Sequence, residues 1–272
     1  MIDRPAAVGP GVDISRPHPA RMHNYWLGGK DNFAVDREAA DAMSAALPQL
    51  PTTARAHRRF LERAARHLVA EAGVRQFVHL GCGLPTGDDL VEIARGFGLG
   101  LRVVFVDPDP VIAAHARALL AVDPAGGVRF LLGDAVDPLS ILSHPELVEA
   151  VDLRLPVCVV LSTPLVNRTD DGLRALLDEL ADRLVPGSHV VLCHPSDEFV
   201  PAALQAVEIG RDNRFDNTLR TTAQVEALLT GWEVLEPGVV PVPEWRPGRA
   251  APEPDRQQVP VLGAVLRRPA TG

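Results

Sequence analysis

The stretch Gln76-Phe-Val-His-Leu-Gly-Cys-Gly-Leu-Pro-Thr-Gly87 constrains the fold most, because a short apolar run breaks there into a glycine-rich turn and then opens an amphipathic helix. Phe77 to Leu80 reads as a buried strand. Gly81 and Gly83 lack the side chains that hold a ligand away from the backbone. A second apolar run, Arg102 to Asp107, closes on an acid. Asp107 would therefore stand at the carboxyl end of the next strand, where a carboxylate accepts hydrogen bonds from ribose hydroxyls. Together these segments predict one βαβ unit. A glycine turn by itself also joins strand to helix in proteins that bind nothing there, but the acid in register favours a nucleotide-type ligand. Nicotinamide cofactors and S-adenosylmethionine both use such a turn and acid. Pro85 and Thr86 displace the third glycine expected of a dinucleotide fingerprint.

From residue 74 strand and helix alternate, which predicts a parallel sheet covered on both faces. Asp109 and Pro110 fit the N-cap and first position of a helix to Leu120. Val128 to Leu132 is the third strand, ending in Gly133-Asp134-Ala135. Pro156 to Leu161 is the fourth, followed by the loop Ser162 to Asp170 and a helix with leucines at helical spacing. His189 to Cys193 is the fifth, ending at His194. Thr221 to Gln224 has capping-box spacing and opens a short helix. Trp232 to Val242 and Val259 to Arg267 flank a proline-rich loop too short for a crossover helix, so that pair is expected to be antiparallel.

Ahead of the glycine turn the first 20 residues carry four prolines and read as an irregular arm. Two helices follow, Asp36 to Leu47 and Thr52 to Ala72. Between arm and helices lies His23-Asn-Tyr-Trp-Leu-Gly-Gly-Lys-Asp-Asn-Phe33. It is either a Gly-Gly turn with Tyr25, Trp26 and Phe33 packed on the core, or a lid.

The 272 residues are 46% hydrophobic, enough for a sizeable core, and the net charge of −8 does not favour a long anionic polymer. Nucleic acid is not an expected partner. Cys82, Cys158 and Cys193 are widely spaced and form no C-x-x-C pair, so they read as reduced thiols rather than a disulfide framework or a metal site. Met1 to Pro5 lacks the basic-then-apolar start of a leader, and no apolar run reaches a membrane-spanning length, so a cytoplasmic protein is expected, monomeric or homodimeric.

Several blocks carry a family resemblance: His23 to Phe33, Arg58-Arg-Phe-Leu61, Gly81 to Thr86, Val106 to Val111 with His115 to Leu120, and Glu244-Trp-Arg-Pro247. Together they resemble the actinobacterial S-adenosylmethionine-dependent methyltransferases first catalogued as a domain of unknown function, over nearly the whole chain. The resemblance implies an α/β, Rossmann-like class I methyltransferase. Its sheet would be seven-stranded and mostly parallel with a C-terminal antiparallel hairpin. Residues 1–72 would be an arm and helical cap, and residues 73–272 the cofactor-binding domain. It implies S-adenosylmethionine as cofactor and a small-molecule acceptor. Tyr25, Gly28 and Lys30 would belong to a lid. Gly81, Cys82 and Gly83 would face the methionine moiety, Asp107 the ribose, Pro108 the adenine face, Asp134 and Ala135 the adenine, and Ser162 the sulfonium.

Methyl transfer needs a base only for some acceptors, and His194, His23, His57 and Asp31 are candidates. This sequence departs from the family pattern at three places: His79 replaces an aspartate, His57 replaces an asparagine, and Ser162 to Asn167 replaces a histidine- and aromatic-rich segment. These departures leave two alternatives to methyl transfer: cyclisation or elimination giving methylthioadenosine, and cofactor binding without catalysis.

Overall fold

Strands buried on both faces read as continuous apolar runs, and those runs form the centre of a single sheet. The computed structural model describes residues 15–84, 90, 93, 96, 100–120, 127–133, 137–161, 168–212, 217–248 and 254–270. Helices α1 (Pro19–Trp26), α2 (Ala34–Ala46) and α3 (Leu50–Ala70) precede β1 (Gln76–Leu80). Then come β2 (Arg102–Asp107), α4 (Pro110–Leu120), β3 (Val128–Leu132), α5 (Pro138–Leu142), α6 (Pro145–Ala150) and β4 (Cys158–Leu161). The chain continues through α7 (Asp170–Arg183), β5 (His189–Pro195), α8 (Ala203–Asp212) and α9 (Thr222–Leu228) to β6 (Glu233–Val234), β7 (Val240–Pro241) and β8 (Val261–Arg267).

The strand order is β3-β2-β1-β4-β5-β8-β6, with β1 to β5 parallel and β8 antiparallel to β5. The sequence suggested seven strands, and the sheet has eight segments among the described residues. The run read as one strand from Trp232 divides where Pro237 has no N–H to donate and Gly238 adopts φ +96°. Its two pieces, β6 and β7, both pair with β8. Because β5 takes the other side of β8 along its whole length, these pieces share one edge, which restores the class I layout.

Alternation in β1 directs Val78 and Leu80 into a core with the leucines of α7, while Phe77 joins Phe60, Ala64 and Leu68 of α3 on the other face. Gly263 of β8 lies beneath that second layer. A Cβ there would meet the Phe60 ring and Val242 Cγ1 at 2.9 Å.

The cap differs more from expectation. Residues read as an irregular arm and turn form α1, with Pro19 in its first turn. A buried carboxylate pins it. Asp36, 0% exposed, accepts from the His18 N–H at 2.9 Å, the Arg21 Nε–H at 2.8 Å and the Phe33 N–H at 2.8 Å. Helices α5, α6 and α8 were also not anticipated. Each is short, and their register is set by packing rather than by a long apolar stripe.

Two substitutions test this packing by denaturant midpoint. Gly263→Ala should cost about 1–3 kcal/mol by overpacking against Phe60. Asp36→Ala strands the Arg21 guanidinium in the interior and should cost about 3–5 kcal/mol. An unchanged midpoint in either variant contradicts the corresponding assignment.

Candidate functional site

In an open parallel sheet the ligand crevice lies where the strand order reverses, here between β1 and β4. Beyond β1, Gly81 and Gly83 both take φ +67°, a left-handed conformation that side chains resist. The N–H groups of Gly81 and Cys82 both donate to Val106 O, at 2.8 and 3.1 Å, hooking the turn over the end of β2. Asp107 completes the cradle. Its Oδ2 accepts from the Gly83 N–H at 2.9 Å and its Oδ1 from the Asp109 N–H at 3.0 Å. Asp109 Oδ1 in turn accepts from the Val111 N–H at 2.7 Å and caps α4. Burial pushes the Asp107 carboxyl above its usual range, against the two N–H dipoles that favour its charged form. Each carboxylate oxygen keeps a second acceptor position. Open glycine backbone next to a carboxylate with acceptor capacity fits the adenosyl and ribose parts of S-adenosylmethionine.

The first turn of α1 lies over this cradle. A Cβ on Gly83 would come within 3.5 Å of Ala20 Cβ, and His18 Nε2 is 3.3 Å from Asp109 Oδ2. Burial lowers the His18 pKa, against the pull of the Asp109 carboxylate that would raise it. A second link spans the same gap, with Asp31 Oδ1 3.8 Å from His115 Nδ1 on α4. The turn carrying Asp31 is tied internally: Asn24 Oδ1 accepts from the Asp31 N–H and from Asn32 Nδ2, both at 3.0 Å. A side chain at Gly29 would overlap the Asn24 amide. Gly28 and Lys30 are exposed on this turn, and the Tyr25 hydroxyl donates to Asp41 of α2 at 3.0 Å.

Three histidines meet beside the cradle. His23 of α1 and His57 of α3 stack edge to face with centroids 5.8 Å apart. His79, two residues before Gly81, tilts against Phe105 at 6.0 Å, and its charge would be felt by His57. All three rings are partly open to solvent, although protein surrounds them. Burial depresses their pKa values to about 4, 3 and 4 for His23, His57 and His79, with Arg58 adding to the effect on His23 and the other two histidines to that on His57. They are neutral at physiological pH.

The remaining sequence-predicted residues are distributed as follows. His194 is buried, with Nδ1 donating to Pro195 O at 2.8 Å and Nε2 accepting from Arg220 Nη1, so both nitrogens are already engaged. Cys82 is half-buried and Pro108 is exposed beside the cradle. Asp134, Ala135 and Ser162 lie outside the described residues. Sequence reasoning missed His18, inside the proline-rich arm, and the partnership of His115 with Asp31. Pro19, a residue suited to a first helical turn, was the available signal for His18. Among the described residues no three His, Cys, Asp or Glu side chains are arranged to hold a metal, and no helix is long and apolar enough to cross a membrane.

The histidines predict how stability varies with pH. Unfolded histidine titrates near 6.5, whereas folded His23 and His79 titrate near 4, so between these values the unfolded chain binds more protons. Stability therefore falls as pH drops through that window, by up to about 1.4 kcal/mol per pH unit for each histidine. His189, lowered to about 4 chiefly by burial, adds to the trend. Asp107, raised from its usual value, acts with the opposite sign at the lower end. His57→Gln should flatten the dependence of the urea midpoint on pH. Parallel profiles for variant and wild type would show that His57 is not part of it.

The family described as S-adenosyl methyltransferase matches residues 6–269. A solved DUF574-family protein from Streptomyces avermitilis is 36% identical with a TM-score of 0.89, covering 94% of this chain and 99% of that one. A candidate methyltransferase from Thermobifida fusca is 35% identical with a TM-score of 0.88, covering 96% and 98%. Mitomycin 7-O-methyltransferase, 18% identical with a TM-score of 0.51 over 94% of this chain and 74% of that one, shares the fold. No curated protein matches. The chain therefore belongs to the S-adenosyl methyltransferase family and is an S-adenosylmethionine-dependent methyltransferase.

Proposed function

We propose that the chain transfers the methyl group of S-adenosylmethionine to a small molecule. The pocket would lie between a cap formed by residues 1–72 and the carboxyl edge of the sheet in residues 73–272. The observation that carries this reading is the position of α1. With Ala20 and His18 over Gly83 and Asp109, the chain covers its own donor cradle, which would favour a small acceptor over a polymer.

Gly81 and Gly83 would lie along the methionine moiety, and Asp107 would hold the ribose hydroxyls. Pro108, Asp134 and Ala135 would border the adenine, and Ser162 the reacting methyl group. Cys82 would line the turn. The segment with Tyr25, Gly28 and Lys30 would act as the lid, latched through Asp31 and His115. Asp107 is only 6% exposed, so the ribose reaches it once the first turn of α1 has moved aside. S-Adenosylmethionine supplies an activated methyl group. The protein aligns the acceptor with it and excludes water, which accounts for much of the acceleration of an in-line displacement.

Calorimetry tests the assignment. Wild type should bind S-adenosylmethionine and S-adenosylhomocysteine but not NAD, and Asp107→Ala should weaken both adenosyl ligands about ten- to hundred-fold, the worth of hydrogen bonds to a charged acceptor. An affinity left nearly unchanged removes the ribose role from Asp107. Release of methylthioadenosine instead of S-adenosylhomocysteine during turnover would replace methyl transfer by elimination or cyclisation.

A further inference from the structure

The three-histidine pocket bears on the chemistry of the acceptor. His23, His57 and His79 come from α1, α3 and β1 and converge next to the glycine turn. No ring nitrogen of the three is hydrogen-bonded to a described residue, although all three rings are only partly accessible. Their ring nitrogens keep contact with solvent, so a ligand or water can hydrogen-bond to them there. The charges that face them are few. Arg58 acts on His23, and Glu62 stands 4.0 Å from Arg58, with no carboxylate among the described residues acting on any of the three rings.

Resting on the methyltransferase reading above, the geometry points to an acceptor that carries a hydroxyl group, of phenol or enol type, methylated on oxygen with His57 as proton acceptor. His57 is central, meeting His23 edge to face and standing within electrostatic reach of His79. A neutral imidazole offers one lone pair and one N–H, so the trio can orient a hydroxyl by accepting from it and donating to it. An alkylammonium has no lone pair to be methylated, and it would add a positive charge to a pocket that already holds Arg58 and a sulfonium donor.

In the transfer the acceptor oxygen bonds to the methyl carbon as the carbon–sulfur bond breaks, and sulfur keeps that electron pair. The hydroxyl proton passes to the His57 lone pair. Positive charge thus moves from sulfur to imidazolium with no net change in the pocket. Loss of the sulfonium charge in that step removes a further penalty on protonating His57, whose pKa burial, with His23 and His79 adding to it, already lowers to about 3.

Nuclear magnetic resonance on the full chain saturated with S-adenosylhomocysteine tests the proposal. Either 4-methylphenol or catechol, titrated at neutral pH, should shift the His57 ring resonances and bind at least about ten-fold more tightly than benzylammonium. Binding of both phenols no tighter than benzylammonium, or binding that leaves His57 unshifted, overturns it. Donor affinity measured on the same sample keeps the outcome separate from the methyltransferase reading, which fails only if the adenosyl ligands do not bind. His57→Gln should retain that donor affinity within about two-fold while losing about a hundred-fold in kcat on a phenol that is turned over. An equal loss in both would reassign His57 to a structural role, and turnover confined to amines would exclude the hydroxyl acceptor.

Discussion

The Asp107 carboxylate fastens the glycine turn to the second strand, and the geometry around it follows from that attachment. Gly81 and Gly83 have no side chains to hold them in place and adopt left-handed conformations, so an untethered turn would sample many states. Two N–H groups donated to Val106 O, and one donated to Asp107, remove that freedom. The same carboxylate holds the Asp109 N–H, and Asp109 caps α4. Strand, turn and helix N-terminus are therefore set by one buried acid. Its burial raises its pKa, yet each oxygen has a donor, so it is not stranded.

The cap is held differently. Its apolar cluster consists of Met22, Ala39, Ala40 and Met43, with a few half-buried neighbours, and alanine contributes little area. Orientation falls instead to Asp36, which gathers two backbone N–H groups and the Arg21 guanidinium. A segment with a small apolar core of its own, joined to the body near the cradle by His18–Asp109 and Asp31–His115, opens at less cost than one embedded in the main core. A cover over a buried acid proposed to hold the ribose needs that property.

Much of the Rossmann-like body was legible because its signals are local. β1, β2, β4 and β5 are continuous apolar runs, and Asp109 and Thr221 cap their helices at the positions their spacing suggested. Where tertiary contacts decide, the reading failed. The helix after the proline-rich arm has long-range partners, among them the bonds from the His18 N–H and the Arg21 guanidinium to Asp36. Leu235 keeps its N–H bond to Val265 O, but Gly238 folds back onto Leu235 O and breaks what looked like one strand. Asp36 itself, read as the start of a helix, lies inside its first turn and serves three partners.

For the site, the cradle was legible and the histidine pocket was not. Gly81, Gly83 and Asp107 lie within one βαβ unit, whereas His23, His57 and His79 come from separate elements and meet only through the docking of α1 and α3 on β1. Their meeting changes the electrostatic argument about His79. An imidazole with an ordinary pKa would be protonated part of the time and would repel a sulfonium cation; burial lowers all three pKa values and removes that repulsion. Neutral rings supply no attraction of the kind a carboxylate at position 79 would give. In the proposed site the positive donor is therefore tolerated at its sulfur end, and its affinity has to come from the ribose and adenine contacts around Asp107. In that proposal the contacts would lie under α1, so closing the cap over them would matter more than it would with an acid at position 79.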